Sequence, residues 1–150
     1  LLRKIDSGVD AIQIFDSWGG VLSHHDYQKF SFPYIQKISE AINQRTKIIV
    51  FPKGCWHSLN LYSKLNIDCV GLDWSCSAQN ARYLTSNKLT LQGNLDPSRL
   101  FSSKTEIITH TKKMLEEFGN EKYIANLGHG ILPNTPVENV KTFVNTIKES

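Results

Sequence analysis

The feature that most constrains the fold of this chain is a fivefold alternation of short apolar segments with longer amphipathic ones. Each apolar segment has the length of a β-strand and is followed by a polar or glycine-rich loop and then by a helical pattern. The predicted strands span residues 11–15, 47–51, 69–72, 89–92 and 123–126. Such alternation predicts an α/β fold with a parallel sheet covered by helices.

The helical segments begin and end at recognisable capping signals. Ser103 with Glu106, and Thr135 with Glu138, have the spacing of a capping box. Asp96 before a proline predicts another helix start. The predicted helices span residues 27–44, 56–65, 78–86, 103–119 and a segment from 135 onward, and the first of them carries Phe30, Tyr34, Ile38 and Ile42 on one face. Residues 1–7 are typical of the last turn of a helix that stops at a glycine, so we expect the natural protein to begin upstream.

The loops that follow the strands hold the polar and glycine-rich residues, whereas the loops that precede them are plain turns. That asymmetry indicates a site at the carboxyl ends of parallel strands, as in a (β/α)8 barrel or a doubly wound sheet. The glycine fingerprint of dinucleotide-binding sheets follows none of the strands. We therefore expect residues 1–150 to be one domain, the C-terminal part of a (β/α)8 TIM barrel with about five of its units.

Charge and cysteine content exclude several classes of function. The net charge is only +3 and the basic residues are scattered, which argues against nucleic acid as a partner. None of the apolar runs is long enough to span a membrane. Three cysteines, an odd number, favour reduced thiols and an intracellular location.

Four of the strand exits share a distinctive composition. They are residues 15–20 (FDSWGG), 71–74 (GLDW), 91–97 (LQGNLDP) and 126–130 (NLGHG). In the last of these, glycines on either side of His129 are expected to let the backbone turn freely and present the imidazole. Together, in this order and spacing, the four segments resemble the uroporphyrinogen decarboxylase family over essentially the whole chain.

The resemblance implies a (β/α)8 barrel, a homodimer, and an enzyme that needs neither cofactor nor metal. The family removes carbon dioxide from the four acetate arms of uroporphyrinogen to give coproporphyrinogen in haem biosynthesis, with a protonated pyrrole as electron sink. Its catalytic Asp, with arginines and a Tyr, lies in the N-terminal half, so the resemblance assigns no catalytic residue to this chain. It assigns substrate binding to Ser17 and His129. We expect the 150-residue chain alone to be inactive.

Each of these residues also has a plain structural interpretation. A serine in such a loop commonly caps a turn, and a histidine between glycines can be a hydrogen-bonded turn residue. Three aspartates stand at strand exits, of which Asp16 is expected to be structural, Asp96 to cap a helix, and Asp73 to orient its neighbours.

Other charged residues are expected to have ordinary surface roles. Lys53 and Arg82 are interpreted as solvated cations, with contact to a polyanion as the alternative. The run His24-His25-Asp26 superficially resembles a metal cluster, but adjacent side chains point in different directions and Asp26 is expected to cap a helix.

Two alternatives to the decarboxylase remain. One is a zinc-dependent corrinoid or thiol methyltransferase of the same superfamily, with Cys55, His57 and Cys76 as ligands. The other is a half-barrel that binds porphyrins without turnover. The cytoplasm and a plastid (chloroplast or apicoplast) are both candidate locations for the decarboxylase.

Overall fold

Five parallel strands form a single sheet in the computed structural model, which describes residues 1–150. The strands are β1 (Ala11–Asp16), β2 (Lys47–Pro52), β3 (Cys69–Gly71), β4 (Thr90–Leu95) and β5 (Tyr123–Leu127). They lie side by side in sequence order, and every neighbouring pair is parallel. The predicted α/β fold is therefore confirmed.

Helices precede the first strand, connect each strand to the next and follow the last. They are α1 (Leu2–Asp6), α2 (His24–Phe30), α3 (Phe32–Ile42), α4 (Leu59–Tyr62), α5 (Ala78–Leu84), α6 (Lys104–Phe118) and α7 (Val137–Lys148). Short 3-10 turns lie at Gly19–Val21, Trp56–Ser58 and Pro97–Phe101. The predicted helix 56–65 is thus a 3-10 turn and one α-helical turn. The helices are all too short or too polar to cross a lipid bilayer.

The sheet curls, and a contact between non-adjacent strands shows the curl. Gln92 Nε2 on β4 donates to Gln13 Oε1 on β1 at 3.5 Å, although β2 and β3 lie between them. Strands spaced at about 4.8 Å in a flat sheet would place β1 and β4 about 14 Å apart. The concave face therefore brings these side chains towards one another, as the wall of a barrel does.

The main hydrophobic core lies between the convex face of the sheet and the helices. Val50, Val70 and Leu91, from three neighbouring strands, are completely buried there, as is Ile107 of α6. Along β1 the side chains alternate, so that Ile12 joins this core while Gln13 and Phe15 face the concave side. The two faces of the sheet thus have different roles, one for packing and one for the cavity described below.

The predicted helix over residues 27–44 is wrong in its continuity. It is divided into α2 and α3 at Ser31, two residues before a proline whose ring cannot fit into a continuous helix. The cap of α2 is Ser23, whose Oγ accepts from the backbone N–H of Asp26, so Asp26 is not the cap. Of the predicted apolar face, Ile42 is buried and Ile38 packs against the core, whereas Phe30 and Tyr34 are 57% and 61% exposed.

Two further boundaries differ from the prediction. Strand β4 continues beyond Gln92, because Gly93, Asn94 and Leu95 pair in register with β5. The capping box at Thr135 is absent, since α7 begins after Pro136 and the Thr135 hydroxyl donates to Leu132 O instead. The capping box at Ser103 with Glu106 is confirmed, as is the stop of α6 at Gly119, where φ is +69°.

Candidate active site

A cavity of about 510 Å³ opens on the concave face, at the carboxyl ends of the strands. Its lining residues come from all five strands or the loops that follow them. They are Gln13, Phe15, Ser17, Phe51, Leu72, Gln92, Asn126, Leu127, His129, Gly130 and Ile131. The structure therefore brings Ser17, after the first strand, and His129, after the last, to the same cavity.

The loop that carries Ser17 is fixed by its neighbour Asp16. The Asp16 carboxylate accepts hydrogen bonds from the Tyr27 hydroxyl at 3.0 Å and the Ser31 hydroxyl at 2.6 Å. Tyr27 also hydrogen-bonds the buried Tyr62 hydroxyl, and burial together with Tyr62 raises the pKa of Tyr27 far above its usual value. Asp16 thus makes side-chain hydrogen bonds that fix this loop, as predicted for a structural residue, whereas Ser17 beside it is exposed.

The loop that carries His129 is held by close packing at Gly128. A Cβ atom there would lie 2.9 Å from Trp74 N and 3.1 Å from Asn94 O and Asp73 Cα. Neither this glycine nor Gly130 has a positive φ. The prediction that both positions need the conformational freedom of glycine is therefore wrong. Gly128 is required by the closeness of neighbouring backbone. The exposed imidazole of His129 faces the Phe51 ring, with the ring centroids 6.0 Å apart.

Asp73 and Asn94 join the strand exits to one another. The buried Asp73 carboxylate accepts from the backbone N–H of Gly54 after β2 and from the N–H of Ser75 at 2.8 Å. Asn94 Nδ2 donates to the main-chain oxygens of Asp73 at 3.0 Å and Cys76 at 2.7 Å. Asp73 therefore orients its neighbours, as expected, and does not itself border the cavity.

The cavity wall combines apolar surface with neutral polar groups. The rings of Phe15 and Phe51 meet edge to face, with centroids 6.1 Å apart, and none of the lining residues is Asp, Glu, Lys or Arg. His129 contributes the one imidazole of the lining. A wall of this kind suits an organic ligand with hydrogen-bonding groups, and the volume lies in the range of small-molecule sites.

The remaining charged residues singled out from the sequence lie outside the cavity lining. Asp96 caps the 3-10 turn that follows it, accepting from Ser98 N at 2.9 Å, which confirms that prediction. Arg82 is not a free surface cation, because its guanidinium donates to the carbonyls of Phe118 at 3.2 Å and Glu121 at 2.8 Å. Lys53 is half-buried.

The proposed zinc ligands are not gathered into a metal site. The buried thiols of Cys55 and Cys76 hydrogen-bond the carbonyls of Lys53 and Ser77. Burial raises the pKa of Cys55 to about 12 and that of Cys76 to about 11, so both stay protonated. Nowhere in the chain do three or more His, Cys, Asp or Glu side chains form a group that could hold a metal ion, the region of His24 included.

Sequence reasoning missed the glutamines of the lining, Gln13 and Gln92. Their signal was a glutamine within a predicted strand, in the middle of the segment AIQIF at position 13 and at the end of the segment LTLQ at position 92. A polar side chain at an inward position of a barrel strand faces the interior and not solvent.

Comparison with known proteins agrees with the family resemblance. The family model described as Uroporphyrinogen decarboxylase (URO-D) matches residues 1–150. A uroporphyrinogen decarboxylase of Flavobacterium johnsoniae is 54% identical over 99% of this chain and 44% of its own length. That of Christiangramia forsetii is 51% identical over the same shares, and that of Schizosaccharomyces pombe is 37% identical over 96% and 43%. The chain thus spans less than half the length of these curated relatives.

Two solved structures share the fold. A methyltransferase from Methanosarcina mazei superposes with a TM-score of 0.79 at 22% identity, covering 97% of this chain and 43% of its own. A B12-independent methionine synthase from Shewanella superposes with a TM-score of 0.66 at 14% identity, covering 95% and 48%. These similarities place the five βα units in a TIM-barrel-like fold.

Proposed function

Because this chain belongs to the uroporphyrinogen decarboxylase family, we propose that the protein containing it removes the carboxyl groups of the four acetate arms of uroporphyrinogen. The product is coproporphyrinogen, on the route to haem. The observation that carries the proposal is the convergence of Ser17 and His129 on one cavity from strands at opposite ends of the sheet. In each step the bond between the methylene carbon of the arm and its carboxylate breaks, its electron pair enters the protonated pyrrole, and carbon dioxide leaves. The methylene carbon then takes up a proton to become a methyl group, and the ring loses the proton that it had gained.

Ser17 and His129 bind and orient carboxylate arms in this proposal. The serine hydroxyl and an imidazole N–H both donate hydrogen bonds, and a bond to a charged acceptor is stronger than one between neutral groups. The absence of carboxylates from the lining spares a polyanionic substrate from repulsion. The Phe15 and Phe51 rings offer an apolar surface to the macrocycle. Such a surface destabilises a charged carboxylate but not neutral carbon dioxide, so it favours loss of the carboxylate.

The experiment that tests the proposal is a segment exchange. This chain replaces the segment that it matches in the Flavobacterium johnsoniae relative, and carbon dioxide release from uroporphyrinogen is measured. We expect the chimera to be active, and His129→Ala to lower kcat/KM about ten- to a hundredfold, as loss of one hydrogen bond to a charged group does. His25→Ala, an exposed histidine of α2, is the matched control. A folded chimera that releases no carbon dioxide would overturn the proposal.

The finer expectations are part of the same proposal. We propose that the enzyme is a homodimer, that it works in the cytoplasm and not in a plastid, and that the 150-residue chain alone does not turn over. The bacterial origin of the relatives with the highest identities reported above supports the cytoplasm. Sedimentation of the chimera tests the dimer, and an assay of the bare chain tests its inactivity.

No contact in the structure favours the zinc methyltransferase. The fold it shares with the methyltransferase neighbour is common to both functions, and the buried protonated thiols of Cys55 and Cys76 are poor ligands as they stand. Metal analysis of the purified chimera discriminates the two, since stoichiometric zinc would contradict the decarboxylase.

A further inference from the structure

Two glutamine side chains lie at the floor of the cavity, below the level of Ser17 and His129. Gln92 is buried, with 8% of its surface exposed, and Gln13 is half-buried. Both project from strands and not from loops, so their backbones are held by the sheet. A polar side chain in this position is costly unless its hydrogen-bonding groups find partners.

The two amides satisfy one another only in part. The single bond between them, from Gln92 Nε2 to Gln13 Oε1, is 3.5 Å long, at the outer limit for a hydrogen bond. A glutamine side chain has two N–H donors and an oxygen acceptor. The pair therefore keeps three N–H donors and one free oxygen, Gln92 Oε1, for a ligand. The excess of donors suits an acceptor such as a carboxylate.

Strand β3 contributes no side chain between the two glutamines. Gly71 stands in register with Gln92, on the same face, and a Cβ atom there would lie 2.8 Å from Phe51 Cδ2. The Phe51 ring therefore lies over the glycine and closes one side of the floor. The groups around the amides are apolar or neutral, so an incoming carboxylate meets no competing acid.

We propose that Gln13 and Gln92 together bind one carboxylate arm of the substrate at the cavity floor. The arm replaces their weak mutual bond and accepts N–H bonds from both amides. The proposal rests on the proposed function, which supplies the acidic macrocycle. It adds an uncharged binding site at the cavity floor to the one that Ser17 and His129 form at the rim. The arm is an acetate or a propionate, since both end in the same carboxylate.

Substitution of the amides by isosteric apolar side chains tests the proposal in the segment-exchange chimera. We expect Gln13→Met and Gln92→Met each to lower kcat/KM for uroporphyrinogen about ten- to a hundredfold, as loss of hydrogen bonds to a charged group does. Thr90→Val is the matched control, because Thr90 lies on the same face of β4, two residues before Gln92, and outside the cavity lining. It should leave kcat/KM unchanged.

Inhibition by coproporphyrinogen, which keeps the propionates and lacks the acetates, identifies the arm. If the variants lose affinity for uroporphyrinogen alone, the floor binds an acetate, and if they lose affinity for both, it binds a propionate. Unchanged constants for both ligands in folded variants overturn the proposal. Should Gln92→Met fail to fold, the more exposed Gln13→Met decides.

A titration that needs no turnover separates this proposal from the proposed function. Fluorescence of the oxidised macrocycle uroporphyrin reports binding to the same chimera. If the chimera is inactive but binds uroporphyrin, and Gln13→Met abolishes that binding, the proposed decarboxylase function is refuted and the proposed carboxylate site at the two glutamines is supported. If the chimera is active and its glutamine variants bind and react like the parent, only the proposed carboxylate site at the two glutamines is refuted.

Discussion

Gly128→Ala is the substitution whose effect follows most directly from the structure. The new methyl group would lie 2.9 Å from Trp74 N and 3.1 Å from Asn94 O, both of them backbone atoms that cannot rotate away. Ordinary van der Waals contact begins at 3.4 Å, so the loop must move by about half an ångström. Overpacking of this kind costs about 1–3 kcal/mol of unfolding free energy. At roughly 2–4 °C per kcal/mol, we expect the melting temperature to fall by about 2–12 °C.

The same displacement carries His129 away from the cavity. A misplacement of about 1 Å can cost about a hundredfold in rate, so half that distance should lower kcat/KM roughly tenfold. Gly130→Ala is the control on the other side of the histidine, because a Cβ atom there meets nothing within 4 Å. It should keep the unfolding free energy unchanged or raise it by up to about 1 kcal/mol. Melting by circular dichroism and kinetics in the chimera measure both effects, and equal values for the two variants would refute the packing argument.

Three further substitutions test the scaffold. Asp16→Asn removes a carboxylate that accepts from two hydroxyl groups, so we expect a loss of about 1–3 kcal/mol in urea unfolding, whereas unchanged stability would contradict its structural role. Burial, and then the nearby His24, lower the pKa of His57, so the folded protein binds a proton there less readily than the unfolded chain does. The unfolding free energy therefore decreases as pH falls below about 6.5. Acid unfolding of His57→Gln should therefore depend less on pH, and a parallel curve would contradict the argument. Arg82→Lys should lower the unfolding free energy by about 1 kcal/mol, because a lysine can keep only one of the two hydrogen bonds to carbonyls. Arg99→Lys, at an exposed residue, should leave the unfolding free energy unchanged.

The order of the elements could be predicted from the sequence because each strand and helix has its own periodicity. Helix ends were less predictable, as two patterns with the same spacing show. Ser103 and Glu106 form a capping box, whereas Thr135 and Glu138 do not. Pro136 lies at the N-cap of α7, which puts Glu138 at the second helical position, where it pairs with a lysine three residues on. A one-residue shift in where the helix begins thus removes the motif.

The split of the helix over residues 27–44 had a visible signal that periodicity concealed. Apolar residues recur at helical spacing on both sides of Pro33, so the pattern favours one continuous helix. The proline nevertheless cannot continue a helix from the preceding turn, and a new helix begins at Phe32. The buried residues of α3 are therefore Ile35, Ser39 and Ile42.

The candidate site was predictable only in part. Ser17 and His129 were identified by resemblance to a family, not by physics, since a serine and a histidine in loops carry little information alone. Gln13 and Gln92 were missed because they are 79 residues apart and meet only through the curvature of the sheet. Strand patterns show that a residue lies on one of two faces, and they do not show whether that face is concave.

The two glycines beside His129 show why residues of the same type in one loop can have unrelated roles. In the sequence they are equivalent, but a Cβ atom added to one would meet three backbone atoms of other strand exits, and a Cβ atom added to the other would meet nothing within 4 Å. Asp73 and Asn94 act like Gly128, because they fix one exit against another without bordering the cavity. Substitutions at these positions should therefore change stability and KM together. Substitutions at Ser17 and His129, which project from an already fixed scaffold, should change KM and leave the melting temperature in place.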